Sequence, residues 1–130
     1  MSKLFLLLAA GLTMAILFAH IVLGGSLVVP PLLGAEDLPE TAAWLAYFNW
    51  HVGSVALAVC AGALVFSVLR PQHGAVAVFA ALILTGFGLL GLGMAIFGNP
   101  ILWGTPAPYA FGVIALLAWI GIFTRPKTGV

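Results

Sequence analysis

The sequence predicts an all-α integral membrane protein, a four-helix up-down-up-down bundle that forms a single domain over residues 1–130. Hydrophobic residues make up 64% of the chain and charged residues only 5%, whereas soluble proteins carry roughly 25% charged residues. Pro- and Gly-containing turns divide the chain into four apolar runs long enough to cross a bilayer, and none contains Asp, Glu, Lys or Arg. A soluble fold of this size could not cover so much apolar surface, so the bilayer is the solvent.

The first predicted helix covers residues 4–29 and ends at Pro30-Pro31, because proline cannot donate the backbone hydrogen bond that continues a helix. Its apolar run is longer than the core of a signal peptide, so we expect a retained span rather than a cleaved leader. A loop then carries all three acids of the chain, Glu36, Asp37 and Glu40. The second predicted helix, residues 41–69, ends at Arg70-Pro71.

The third predicted helix, residues 75–97, contains a glycine-rich stretch from Gly86 to Gly93. Small residues let membrane helices approach closely, so we expect this stretch to pack against a second copy of the chain or a larger membrane-protein partner. A loop rich in Pro and Gly follows, in which Trp103 is expected to anchor at the membrane interface. The fourth predicted helix covers residues 108–123 and ends before Pro126.

The few charges predict the orientation of the bundle. In the four-span arrangement the cations fall on one side, namely Lys3, Arg70, Arg125 and Lys127, and the three acids fall on the other. Positive charges mark the cytoplasmic side, so we expect both termini in the cytoplasm and the protein in the inner (plasma) membrane. A net charge of +1 without a basic patch excludes nucleic acid as a partner.

Two histidines lie within the first two predicted helices, where an ionisable side chain is costly and faces protein or water. At about 1.5 Å per residue, His20 stands roughly 24 Å above Leu4 and His51 roughly 27 Å above Leu69. Consecutive antiparallel helices touch. The two imidazoles are therefore predicted to face each other in the outer half of the bilayer.

Helical spacing extends this prediction to a larger site. On the second helix one stripe comprises Tyr47, His51, Ser54, Ala58 and Gly62, and on the first helix Thr13, His20 and Gly24 share a stripe. Trp50 lies off the second-helix stripe and is expected to point to the neighbouring helix or the membrane interface. The same depth falls near Met94 on the third helix and near Tyr109 on the fourth. The predicted cofactor-binding site is therefore His20, His51, Ser54, Tyr109 and Met94, with His20 and His51 as the metal ligands.

The sequence leaves four interpretations of the histidine pair open. Two histidines on opposed helices can hold haem b through two axial imidazoles. A metal ion such as zinc needs more ligands than this depth supplies, because Cys60 lies about 13 Å deeper than His51. A quinone or another lipid-soluble ligand could accept hydrogen bonds from His or Tyr. Finally, the histidines could simply bond across helices and fix their packing.

Several functional classes are disfavoured. There is no phosphate-binding loop or dinucleotide fingerprint, no acid that would orient a Ser54–His51 pair, and no membrane carboxylate of the kind used by cation exporters. An oligomeric channel or carrier would have few polar residues below His20 to line its path. Three hypotheses remain. The first is a protein with a ligand or cofactor pocket built around His20 and His51, most specifically for haem-based electron transfer or redox sensing. The second is a non-catalytic accessory or scaffold subunit with structural histidines, and the third is a small channel or carrier formed by an oligomer.

Overall fold

The computed structural model describes residues 1–125, so Pro126 and Lys127 of the sequence predictions lie outside the described residues. The described chain is almost wholly helical and contains no strand. Three segments are long and apolar enough to span a membrane, Ser2–Leu33, Glu40–Leu69 and Pro71–Gly98, and a shorter apolar helix covers Ala107–Phe123. An all-helical protein with helices able to cross a membrane is therefore confirmed.

The α-helices of these segments are α1 (Ser2–Ala19), α2 (Gly25–Leu33), α3 (Glu40–Leu69), α4 (Gly74–Gly93) and α5 (Ala107–Phe123). A π-helical turn, His20–Gly24, joins α1 to α2, and a second one, Met94–Gly98, extends α4. Short 3-10 turns occupy Pro71–His73 and Pro100–Gly104. The predicted bounds of the second and fourth helices agree with α3 and α5 to within one residue.

The first helix departs from its predicted end. Pro30 and Pro31 do not terminate it, because α2 runs on to Leu33 with both prolines inside. Proline removes a backbone donor and crowds the carbonyl one turn earlier, but here the helix ends within one further turn. Its last bond is donated by the Gly34 N–H to the Pro30 carbonyl at 3.0 Å. The disturbance is thus confined to the final turn.

The helices pack as a ring in which α1 contacts α3 and α5, and α4 contacts the same two helices. The α4–α5 contact is the most extensive, and the diagonal pairs make only marginal contact. Small side chains and leucines form the core: Leu6, Ala9, Ala10, Leu57, Leu64, Ala77, Ala80, Ala81, Leu84, Ala115 and Ala118. Large apolar side chains such as Phe18, Phe79 and Phe97 point outward, as expected where lipid is the solvent.

Two glycines bring the backbones of α4 and α5 together. A Cβ atom added at Gly88 would lie 3.1 Å from the backbone nitrogen of Gly112, and one added at Gly91 would lie 2.5 Å from the carbonyl oxygen of Ala107. Part of the predicted Gly86–Gly93 partner surface is therefore used inside the chain. At Gly86 and Gly93, by contrast, an added Cβ would meet no atom of the described chain within 4 Å.

Candidate functional site

His20 is the first residue of the π-helical turn between α1 and α2. The N–H of Gly25 donates to the carbonyl of His20, a bond across five residues that characterises a π-helix. Such a turn holds one residue more than an α-helical turn, so it changes the direction in which the following side chains point. Single π-helical turns are frequent at functional sites, so the surroundings of His20 form a candidate site.

The imidazole of His20 stacks on the indole of Trp50 in α3. Their ring centroids lie 3.9 Å apart and their planes differ by 15°. His20 Nε2 also lies 3.1 Å from the backbone carbonyl oxygen of Trp50. Because a carbonyl oxygen only accepts, Nε2 carries the proton and donates this hydrogen bond. One ring nitrogen and one ring face of His20 are therefore engaged by the neighbouring helix.

Gly24, one turn after His20, provides the space for this arrangement. A Cβ atom at Gly24 would lie 2.7 Å from Cη2 and 2.8 Å from Cζ2 of Trp50. The indole thus rests against the backbone of the π-helical turn. We refer to the set of His20, Gly24 and Trp50 as the His20–Trp50 contact.

Ser54 is the one other predicted site residue that reaches this contact. Its side chain is buried, and its Oγ donates to the Trp50 carbonyl at 3.3 Å. The Trp50 carbonyl therefore accepts from both Ser54 and His20. Trp50, which the sequence places off the stripe of His51, is the residue of α3 that meets His20.

His51 lies on a different face of α3. Its side chain is exposed, and its ring meets that of Tyr47 edge to face, with centroids 4.6 Å apart. Neighbouring residues of an α-helix point about 100° apart, so the face that carries Trp50 to His20 turns His51 away. Within residues 1–125 the structure shows no contact between the rings of His20 and His51. The structure does not bring together the two histidines that the sequence predicts to face each other.

The physical reason is the rotation of α3. The side chains that α3 buries are Ala43, Ser54, Leu57, Cys60, Ala61, Leu64 and Ser67. Of the predicted stripe, His51, Ala58 and Gly62 are exposed and only Ser54 is buried. Because α3 is apolar on all sides, its sequence pattern does not fix which face packs inward.

Met94 and Tyr109 make no hydrogen bond or ring contact with His20 within residues 1–125. Both side chains are about half exposed, and Met94 begins the π-helical turn that extends α4, the helix diagonal to α1 in the ring. The hydroxyl of Tyr109 donates to the carbonyl of Trp103 at 3.3 Å, and the two rings are adjacent. This pairing is typical of aromatic anchors at a membrane interface.

A metal or haem site therefore finds little support in this geometry. Among residues 1–125 there is no group of three or more His, Cys, Asp or Glu side chains that could hold a metal ion. Axial ligation of one haem by His20 and His51 would require α1 or α3 to rotate and the His20–Trp50 contact to open. Ligand binding by the two histidines thus stays a prediction of the sequence.

Neither a protein-family model, nor a curated protein, nor a solved structure matches this chain. The functional argument therefore depends on geometry. Sequence reasoning missed Trp50 as a contact of His20, although helical spacing places Thr13, His20 and Gly24 on one face of the first helix. The available signal was spacing: Gly24 lies four residues after His20, on the same helix face, and a residue without a side chain beside a polar one leaves room for a large partner.

Proposed function

We propose that this chain is a multi-pass inner-membrane protein that acts as a non-catalytic accessory or scaffold subunit, with four segments in up-down-up-down order and both termini in the cytoplasm. The charge distribution supports the orientation, because Lys3, Arg70 and Arg125 lie at the ends of the apolar segments on the side that the positive-inside rule assigns to the cytoplasm. Lys3 and Arg125 also line one common cavity, which supports placing the first and last segments with these ends together.

The observation that carries the proposal is the His20–Trp50 contact. A histidine in a span is a candidate ligand by default, but this one donates to a backbone carbonyl and is stacked on an indole. Hydrogen bonds of polar side chains across helices are a standard way to fix packing in lipid. The arrangement gives His20 a structural role that requires no bound cofactor.

The open face of α4 supplies a surface for a partner. Leu82, Gly86, Leu89 and Gly93 follow one another at spacings of four, three and four, so they share one face, which we call the open α4 face. Glycine within a helix costs roughly 0.5–1 kcal/mol relative to alanine, a cost that close backbone approach can offset. At Gly88 and Gly91 that approach comes from α5, whereas at Gly86 and Gly93 the described chain provides none.

Purification of the tagged full-length chain in a mild detergent tests the proposal. We expect a stoichiometric membrane-protein partner or a second copy of the chain. The variant Gly86→Leu should weaken this association because its side chain fills the open α4 face. The matched control is Gly62→Leu on α3, another exposed glycine whose Cβ would meet nothing within 4 Å. A protein that purifies alone, or an equal loss in Gly62→Leu, would count against a subunit role.

Spectroscopy separates this proposal from the haem hypothesis. We expect no reduced-minus-oxidised b-type signal from protein that was expressed with haem available. A stoichiometric b-type spectrum that disappears in both His20→Ala and His51→Ala would contradict the structural role of His20 and restore the cofactor pocket. Retention of the partner in His20→Gln would instead support the scaffold.

A further inference from the structure

A cavity of ≈ 470 Å³ lies where α1 begins and α3 ends. Its polar lining comes from Ser2 and Lys3 at the start of α1, Gln72 before α4, and Arg125 after α5, and its apolar lining includes Leu6 and Val68. The residues that line the cavity thus come from α1, from α3, from the connection to α4 and from the end of α5. It is distinct from the His20–Trp50 contact, which lies further along α1.

The cavity is positively charged. Lys3 and Arg125 contribute two cations, and no lining residue is acidic. The three Asp and Glu residues of the chain lie between residues 36 and 40, beyond the far end of the first helical segment. The lining therefore supplies two positive charges and no side-chain carboxylate to neutralise them.

Arg125 is held in a defined position. Its Nη2 donates to the Oγ of Ser67 at 2.9 Å and to the Ser67 carbonyl at 3.2 Å. Ser67 is only 1% exposed, so it anchors one branch of the guanidinium inside the bundle. A guanidinium has five N–H donors, and these two bonds use the two on Nη2. Within residues 1–125 the donors on Nη1 and Nε have no hydrogen-bond partner, and each can donate a single hydrogen bond to an anion.

Gly74 lets the guanidinium lie against the first residue of α4. A Cβ atom there would come within 2.9 Å of Arg125 Nη1. The start of α4 has no side-chain cap, and the first N–H groups of a helix lack intrahelical acceptors and carry partial positive charge. The helix end thus adds to the positive potential of Lys3 and Arg125.

We propose that this cavity binds the phosphate group of an anionic membrane lipid, with Arg125 and Lys3 as its ligands. Two features favour a lipid over free phosphate: the site lies at the ends of membrane-spanning segments, and Leu6 and Val68 provide apolar surface for the glycerol and acyl portion. Basic pockets between spanning helices on the cytoplasmic side suit such headgroups. The proposal requires only that the chain is embedded in a membrane, and it holds whether or not the chain is a subunit of a larger complex.

Lipid binding to the isolated, delipidated full-length chain tests this proposal. Phosphatidylglycerol or phosphatidylcholine is added in mixed micelles, and bound lipid is counted by native mass spectrometry. We expect retention of phosphatidylglycerol over phosphatidylcholine. Arg125→Gln should weaken the binding of phosphatidylglycerol by about tenfold or more, the size expected for lost hydrogen bonds to a charged group.

Three further variants keep the test independent of folding defects. Lys3→Gln changes an exposed residue at the start of α1 and should also weaken binding. Gly74→Ala retains every charge but displaces the guanidinium, so a smaller loss is expected. Arg70→Gln is the matched control, because it removes one cation near the same connection without altering the cavity lining. It should bind phosphatidylglycerol as the unmodified protein does.

The contrary outcomes are equally distinct. Unchanged phosphatidylglycerol binding in both Arg125→Gln and Lys3→Gln, or an equal loss in Arg70→Gln, would overturn the site. Equal retention of phosphatidylcholine would overturn its selectivity for an anion. Inorganic phosphate that displaces the lipid at comparable concentration would show that the free ion is the ligand and would overturn the lipid assignment. None of these results depends on a protein partner, because the isolated chain is used.

Discussion

Glycine allows close approach at two different helix contacts in this molecule. In α4 and α5, Gly88 and Gly91 allow one backbone to lie directly against the other, so the atoms they face belong to the main chain. At the π-helical turn after α1, Gly24 makes room for the side chain of Trp50 in α3, and the turn meets α3 through His20 and that indole. The first contact is built from main chain and the second from aromatic side chains.

The difference indicates where the bundle can adjust. A backbone that is crowded by an added methyl group must move as part of a packed helix, whereas a side chain can tilt about its own torsions. The α4–α5 contact should therefore be rigid and intolerant of substitution. The His20–Trp50 contact, which includes a π-helical turn and half-buried aromatic rings, should tolerate change at lower cost.

The largest expected effect is that of Gly91→Ala. Its methyl group would lie 2.5 Å from the carbonyl oxygen of Ala107, so α4 and α5 must separate. Overpacking of this kind costs about 1–3 kcal/mol, measured as the free energy of unfolding by detergent titration in lipid–detergent micelles. Gly93→Ala is the matched control, because nothing lies within 4 Å of its Cβ and alanine favours helix by up to about 1 kcal/mol. A Gly91→Ala protein as stable as the Gly93→Ala control would refute the backbone contact.

A smaller effect is expected for Gly24→Ala. The methyl group would meet Cη2 and Cζ2 of Trp50, and the indole can tilt away, so the expected loss is about 1 kcal/mol, at the low end for overpacking. Gly25→Ala is the control within the same segment, because no atom lies within 4 Å of its Cβ. The loss should also shrink when Trp50→Leu is added, which a double-mutant cycle measures. If the cost of Gly24→Ala does not depend on residue 50, the proposed packing is incorrect.

The smallest effect is expected for His20→Leu. It removes one interhelical hydrogen bond, and such bonds contribute about 0.6 kcal/mol on average in a membrane bundle, together with the stacking on Trp50. His51→Leu should be close to neutral, because that ring is exposed and meets only Tyr47. The same unfolding measurement compares the two variants. An equal or larger loss in His51→Leu would reverse the roles given to the two histidines.

The positions of the helices follow from local composition. Apolar runs separated by Pro, Gly and charged residues mark the spans, which is why the predicted 41–69 and 108–123 agree closely with α3 and α5. The continuation of α2 through Pro30 and Pro31 was not predicted. The free-energy cost of proline in a helix depends on how many turns follow it, and here the helix ends within one further turn. The π-helical turn at His20 was not predicted either. It forms because backbone N–H groups bond to the carbonyl five residues earlier instead of four, and no distinct sequence pattern indicates this shift.

The composition of the site was harder to predict than its location. Two residues of the predicted site, His20 and Ser54, lie at one contact, since both bond to the Trp50 carbonyl, and cofactor binding by them stays a prediction. The sequence does not fix the rotation of α3 about its own axis. Trp50 and His51 are adjacent in sequence, and their side chains point about 100° apart around the helix. In a soluble helix the polar face would have fixed this angle. In an apolar span the packing of the buried side chains, such as Ala43 and Leu57 in α3, decides it.

Proton–proton contacts of the His20 ring test the central claim most directly. Nuclear Overhauser spectra of the full-length protein in lipid nanodiscs, with labelled histidine and tryptophan, report which rings touch. We predict cross-peaks between His20 and the indole of Trp50, none between His20 and His51, and cross-peaks between His51 and Tyr47. Cross-peaks that join the two imidazoles, without any from His20 to Trp50, would contradict the structural role of His20.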